Sequence, residues 1–136
     1  MRFLLNTNVL SDARRGASAS LDAWIADQVV ADLAISAITL LELDVGVRRK
    51  ERQDADQGAR LREWLEGTVI PMFAGRILPV DAEVAFAAAG LHVPDPMPDM
   101  DALIAATALR HGLTLVTRNL RDMERAGVPT LDPWTA

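Results

Sequence analysis

The chain of 136 residues contains no cysteine, which excludes disulfides, thiolate metal sites and cysteine nucleophiles. No apolar run approaches the length needed to cross a bilayer. The amino terminus reads as a short buried strand without the basic region and cleavage site of a signal peptide, so a cytoplasmic location with no membrane association is expected. Positive charge is also scarce: 14 Lys and Arg stand against 19 Asp and Glu, giving a net charge of −5 and a sequence pI near 4.9. Stable nucleic-acid clamps are usually basic overall, which argues against one here. A metal-dependent nuclease stays open, because its own acidic cluster lowers the pI. No Gly-x-Gly-x-x-Gly or Walker-type loop follows the first strand signal, and no Gly-x-Ser-x-Gly elbow occurs. Dinucleotide-binding, P-loop and α/β-hydrolase readings therefore fail.

What is present is apolar and evenly distributed. Half of the residues are hydrophobic, and no repeat, low-complexity segment or linker divides the chain, so one domain over residues 1–136 is expected. The clearest strand signals are Phe3–Leu5 and Leu113–Thr117, near-continuous apolar runs of the kind that parallel strands need when both faces are covered. Leu33–Ser36 and Arg76–Val80 are weaker candidates. Helical spacing lies between them, at about 20–30, 37–50, 55–68, 81–90 and 100–111. Strands alternating with helices predict an α/β fold of right-handed crossovers around a mostly parallel sheet. The best-defined helix begins near Met100, with Asp99 as its expected N-cap, Asp101 in its first turn and Gly112 placed to end it. Before it, Pro94, Pro96 and Pro98 require an irregular segment.

Four segments carry polar groups that could converge. Asn6-Thr7-Asn8 follows the first strand and reads as a polar turn. Glu42 lies mid-helix among apolar neighbours, where a desolvated carboxylate needs a partner, either an arginine or water. Asp101 is either a dipole-stabilising acid or a site residue. Thr117-Arg118-Asn119 follows the last strong strand. In parallel sheets the carboxyl ends of strands are where ligands sit. Oxygen ligands without cysteine suit Mg2+ or Mn2+, which take one or two carboxylates and keep several waters, and such sites perform phosphoryl chemistry. His92 and His111 form no ligand pair; His111 belongs to a helix's last turn. The run Arg48, Arg49, Lys50, Arg52, Arg60 and Arg62, diluted by Glu51, Asp54 and Asp56, reads either as a solvated helix face or as part of a phosphate-facing surface. Trp24, Leu40, Leu61, Trp64 and Leu65 read as core or as partner-facing.

These motifs also carry a resemblance. Leu-Leu-Asn-Thr-Asn-Val-Leu-Ser (4–11), Ser-Ala-Ile-Thr-Leu-Leu-Glu-Leu (36–43), Asp-Ala-Leu-Ile-Ala-Ala-Thr-Ala (101–108), Leu-Val-Thr-Arg-Asn (115–119) and the tail Val-Pro-Thr-Leu-Asp-Pro-Trp (128–134) resemble, in order, the motifs of PIN-domain proteins. The likeness is greatest to VapC-type toxins of bacterial type II toxin–antitoxin pairs. It implies a three-layer α/β/α fold and a Mg2+- or Mn2+-dependent endoribonuclease that cleaves tRNA or rRNA through metal-activated water. It further implies a homodimer, silencing by a cognate antitoxin in a toxin–antitoxin hetero-oligomer, and promoter DNA bound only through that antitoxin. Residue by residue, Asn6, Glu42 and Asp101 take the metal-ligand positions and Asn119 the fourth catalytic one. Thr7, Thr117 and Arg118 take ligand-positioning or substrate-binding roles.

The main departure is Asn6, because the family has aspartate there. An amide in place of a carboxylate removes one negative charge from the cation's cage, a difference worth several kcal/mol even when partly shielded. Activity reduced at this step is the expectation. The segment between Glu83 and Asp101 also looks shortened and proline-rich. Two other readings stay open: a non-catalytic module that only binds an antitoxin, and a structure-selective DNA nuclease.

Overall fold

The computed structural model describes residues 1–135. Phe3–Leu5 forms β1, and all three residues are buried, as an apolar run covered on both faces requires. Next come α1 (Thr7–Arg15), α2 (Ala19–Ala26), a 3-10 turn (Val30–Asp32) and β2 (Leu33–Ser36). Then α3 (Ala37–Gln53) and α4 (Ala55–Trp64) form a helical pair, continued by a π turn (Leu65–Val69) and α5 (Ile70–Met72). The chain closes with β3 (Ile77–Leu78), α6 (Ala82–Leu91), α7 (Asp99–His111), β4 (Thr114–Val116), α8 (Leu120–Arg125) and β5 (Thr130–Leu131).

All strand pairs are parallel, in the order β3-β2-β1-β4-β5, with Phe3 opposite Leu33 and Leu4 opposite Leu115. Alternation along the strands divides the core. Phe3, Leu5, Leu33, Ile35 and Val116 pack with Val9, Leu21, Leu43, Val47, Leu65 and Phe73 on one face. Leu4, Ala34 and Leu115 face the other way, against Val84, Ala88, Ile104, Ala105 and Ala108. The three layers are thus helix, sheet and helix. From β1 the chain runs to β2 and β3 on one side, and β4 and β5 lie on the other. The strand order reverses beside β1, and in such sheets the crevice at the reversal receives ligands.

Several expectations need correction. Asn6-Thr7-Asn8 is no turn. Asn6 has extended backbone, its Oδ1 accepts the Thr7 N–H at 2.8 Å, and α1 begins there. A strand-ending asparagine and a helix cap share one signature, and the buried Val9 and Leu10 supply the helical face. Asp99 is not a cap either. Pro98 holds the N-cap position, its carbonyl accepts the Ala102 N–H at 2.9 Å, and Asp99 joins Asp101 in the first turn. Proline suits that place because its fixed φ needs no N–H there. Gly112 ends α7 at φ 66°, as expected. The strand sought over Arg76–Val80 is only Ile77–Leu78, while α8 and β5 are too short for any periodicity to mark.

Candidate metal centre

The strand-order reversal is bridged by side chains. Asn6 caps α1 immediately after β1, and its Nδ2 donates to Thr117 Oγ1, just after β4, at 2.9 Å. The same Thr117 oxygen accepts the Asn119 N–H at 3.0 Å. Thr117 is fully buried, so its hydroxyl orients Asn6 and the Arg118-Asn119 turn from beneath. Thr7 lies one residue into α1. Its hydroxyl donates to Glu42 Oε1 at 2.7 Å and stands 3.2 Å from the buried Thr39 hydroxyl. Glu42 projects from α3, and Thr7 rather than an arginine is its partner.

These groups face one cavity of about 340 Å³, lined by Asn6, Thr7, Asn8, Ser11, Asp12, Glu42, Asp101, Arg118 and Asn119. The cavity brings together every site residue expected from sequence except Thr117, which lies beneath it. Burial is the main cause holding the Asp101 carboxyl above its ordinary range, reinforced by the negative charges of Glu42 and Asp122. Asp122 was not foreseen; its spacing of three from Asn119 across the start of α8 is the signal that could have found it. Asp12 was not foreseen either. It is a buried carboxylate on α1 that meets Arg15, Arg118 and the Trp134 indole N–H.

A second cavity of about 570 Å³ adjoins the first and shares Thr7, Ser11 and Glu42 with it. Arg14 and Arg15 from α1, Lys50 from α3 and Gln57 and Arg60 from α4 line it, with Leu43, Val47, Leu61 and Trp64 as its apolar part. The basic run seen in sequence divides here. Arg62 and Arg48 neutralise Asp44, and Arg62 also neutralises Glu51, while Lys50 and Arg60 turn into the groove. The two helices that carry Lys50 and Arg60 approach closely at Gly58, where a Cβ would stand 2.5 Å from Glu51 Cα.

The donor set fits a hard divalent cation. Glu42 and Asp101 supply two carboxylates, whose mutual repulsion a cation would relieve. Asn8 Oδ1, on the same cavity, is buried with no hydrogen-bond partner among the described residues. Such an orphan oxygen calls for a ligand. Asn6 offers the remaining lone pair of an amide oxygen. Among the described residues, no three His, Cys, Asp or Glu side chains form a metal-binding cluster.

Residues 3–128 match the PIN domain, and the chain belongs to that family. It is 36% identical to Toxin FitB of Neisseria gonorrhoeae, over 96% of this chain and 97% of that one. It is 33% identical to VapC ribonuclease Y4jK of Sinorhizobium fredii, over 96% of each. The crystal structure of FitAcB from Neisseria gonorrhoeae superposes with a TM-score of 0.91 at 35% identity, covering 98% of this chain and 99% of that one. No helix among the described residues is long and apolar enough to cross a membrane.

Proposed function

We propose that this chain is a toxin-type endoribonuclease, the toxin component of a type II toxin–antitoxin pair, acting on cellular RNA such as tRNA or rRNA with Mg2+ or Mn2+. One observation carries the reading. Asn6, Glu42, Asp101 and Asn119, from four separate motifs, line a single cavity at the strand-order reversal. The names of the relatives, a toxin and a ribonuclease, support the same class.

The chain's own residues divide the work. Glu42 and Asp101, with the Asn6 amide oxygen, would hold the cation, which would supply Lewis-acid polarisation of the phosphodiester and activation of water. Thr7 fixes the Glu42 carboxylate, and Thr117 fixes the Asn6 amide. Arg118 presents a guanidinium to a phosphate oxygen. Asn119 completes the wall after β4. The neutral amide at residue 6 weakens cation binding and therefore lowers activity. The protein acts as one domain over residues 1–136 in the cytoplasm. There it forms a homodimer and a hetero-oligomer with a cognate antitoxin, which carries any promoter DNA contact.

The test is Asn6→Asp, purified free of partner and incubated with bulk tRNA, rRNA and flapped DNA. The expected result is Mg2+- or Mn2+-dependent RNA cleavage at least about 100-fold above the parent chain, from the charge restored beside the cation. Cleavage of flapped DNA alone would favour the DNA-nuclease reading. No cleavage of either would favour the non-catalytic binding module.

A further inference from the structure

Asp12 is the most buried charged residue among those described, and the chemistry above makes no use of it. It is 1% exposed, yet its carboxylate lies on the acidic cavity wall. Burying a carboxylate is unfavourable unless donors surround it. Here Arg118 Nη1 reaches Oδ2 at 2.8 Å, Trp134 Nε1 donates to Oδ2 at 3.0 Å, and Arg15 pairs with Oδ1. The Arg118 guanidinium also lies over the Trp134 ring, 5.2 Å from its centroid. Two cations share one anion, so the unit keeps a net positive charge. Both arginines are more than half exposed, at 61% and 53%, so their remaining N–H donors are free. They open onto different spaces: Arg15 lines the basic groove and Arg118 the acidic cavity.

We propose that Asp12 is a positioning residue for nucleic-acid binding, fixing Arg15 at the groove and Arg118 at the acidic cavity so that both hold phosphates of one strand running from the groove into the cavity. The proposal rests on the ribonuclease reading above. Its physical basis is preorganisation. A free arginine loses rotamer freedom when it takes a phosphate, and one already pinned by a buried carboxylate loses less. The neighbouring Arg14, Lys50 and Arg60 continue the positive wall of the groove away from the cavity.

The test uses the parent chain in EDTA, where nothing is cleaved, and measures binding of a fluorescein-labelled single-stranded oligouridylate by anisotropy across a salt series. Removing a negative charge near the strand strengthens binding by Coulomb attraction alone. Loss of positioning weakens it, so the sign separates the two. Asp12→Asn is expected to bind about 10-fold more weakly, as two side chains must be ordered anew. Its salt slope should fall by about 0.7 for each phosphate that is no longer neutralised. Trp134→Phe removes the third donor but no charge and should bind like the parent. Asp12→Asn that is folded by circular dichroism and binds equally or more tightly overturns the proposal. So does Trp134→Phe reproducing its loss, because Asp12 would then act only by holding the tail. Should Asp12→Asn not fold, Arg15→Ala and Arg118→Ala decide. Each should weaken binding and flatten the salt slope, and parent-like binding by both overturns the proposal. A parent chain that binds no oligouridylate also overturns it. Cleavage by Asn6→Asp is scored separately. Cleavage with binding indifferent to Asp12, Arg15 and Arg118 leaves the ribonuclease reading standing and removes only this inference.

Discussion

The acidic cavity and the basic groove share Thr7, Ser11 and Glu42, yet they are assembled on different principles. The cavity is made by the sheet. Asn6 and Arg118-Asn119 stand at the ends of β1 and β4, and Glu42 and Asp101 descend from helices packed on opposite faces of it. Its geometry is locked by short hydrogen bonds through Thr7 and Thr117. The groove is made by helix faces alone, from α1, α3 and α4. Its helices approach closely at Gly58, and its wall carries charge that salt can screen. A smaller cavity carrying Glu42 and Asp101 therefore adjoins a larger one lined by Arg14, Arg15, Lys50 and Arg60. On the proposed function, chemistry and grip are then separately mutable in this fold.

Substitutions can break that separation. The largest effect is expected from Glu42→Gln placed on top of Asn6→Asp. Cleavage should fall about 100-fold or more, because a carboxylate is again lost beside the cation, while oligouridylate binding in EDTA stays at or above the parent level. Next, Lys50→Glu and Arg60→Glu should each weaken oligouridylate binding about 10-fold with a flatter salt dependence, while Mn2+ affinity measured by calorimetry barely changes. Thr117→Val comes third. It leaves the Asn6 amide and the Asn119 N–H without their shared acceptor, costing about 1–3 kcal/mol in urea unfolding. The smallest effect concerns pH. Asp101 has its folded carboxyl raised, so its ionised form destabilises the fold. That penalty is fully present above the folded pKa and disappears as pH falls toward the unfolded value of 3.8. Asp101→Asn in EDTA should therefore melt higher than the parent at neutral pH, with the gain vanishing in acid.

The same contrast explains what could be read in the sequence. Residues 3–5 and 113–117 announced strands, found at Phe3–Leu5 and Thr114–Val116, because doubly covered parallel strands are apolar throughout, and Gly112 marked the end of α7. The convergence of the cavity residues was legible because they sit in four short motifs, two after β1 and β4, one within α3 and one at the start of α7. Asp12 escaped because nothing in a single i, i+3 pair with Arg15 points to Arg118 and Trp134, more than a hundred residues away. The groove was legible only in part, since the basic run read either as a solvated face or as a phosphate-facing surface without showing which members would face it. Lys50 and Arg60 look like their neighbours Arg48 and Arg62 until α3 and α4 are paired, which neutralises the latter two and aims the former at α1. Asn8 stood in the first of the convergent polar segments, but nothing in the sequence marked its oxygen as buried without a partner.

The cavity is, in this view, a cation site left incomplete by the amide at residue 6. Calorimetric titration of Mn2+ into the parent chain and into Asn6→Asp, at neutral pH and without RNA, tests that claim most directly. The predicted result is weak binding by the parent and affinity about 100-fold higher in Asn6→Asp, from one restored charge within about 4 Å of the ion. Equal affinity in the two proteins, or no binding by either, would contradict it.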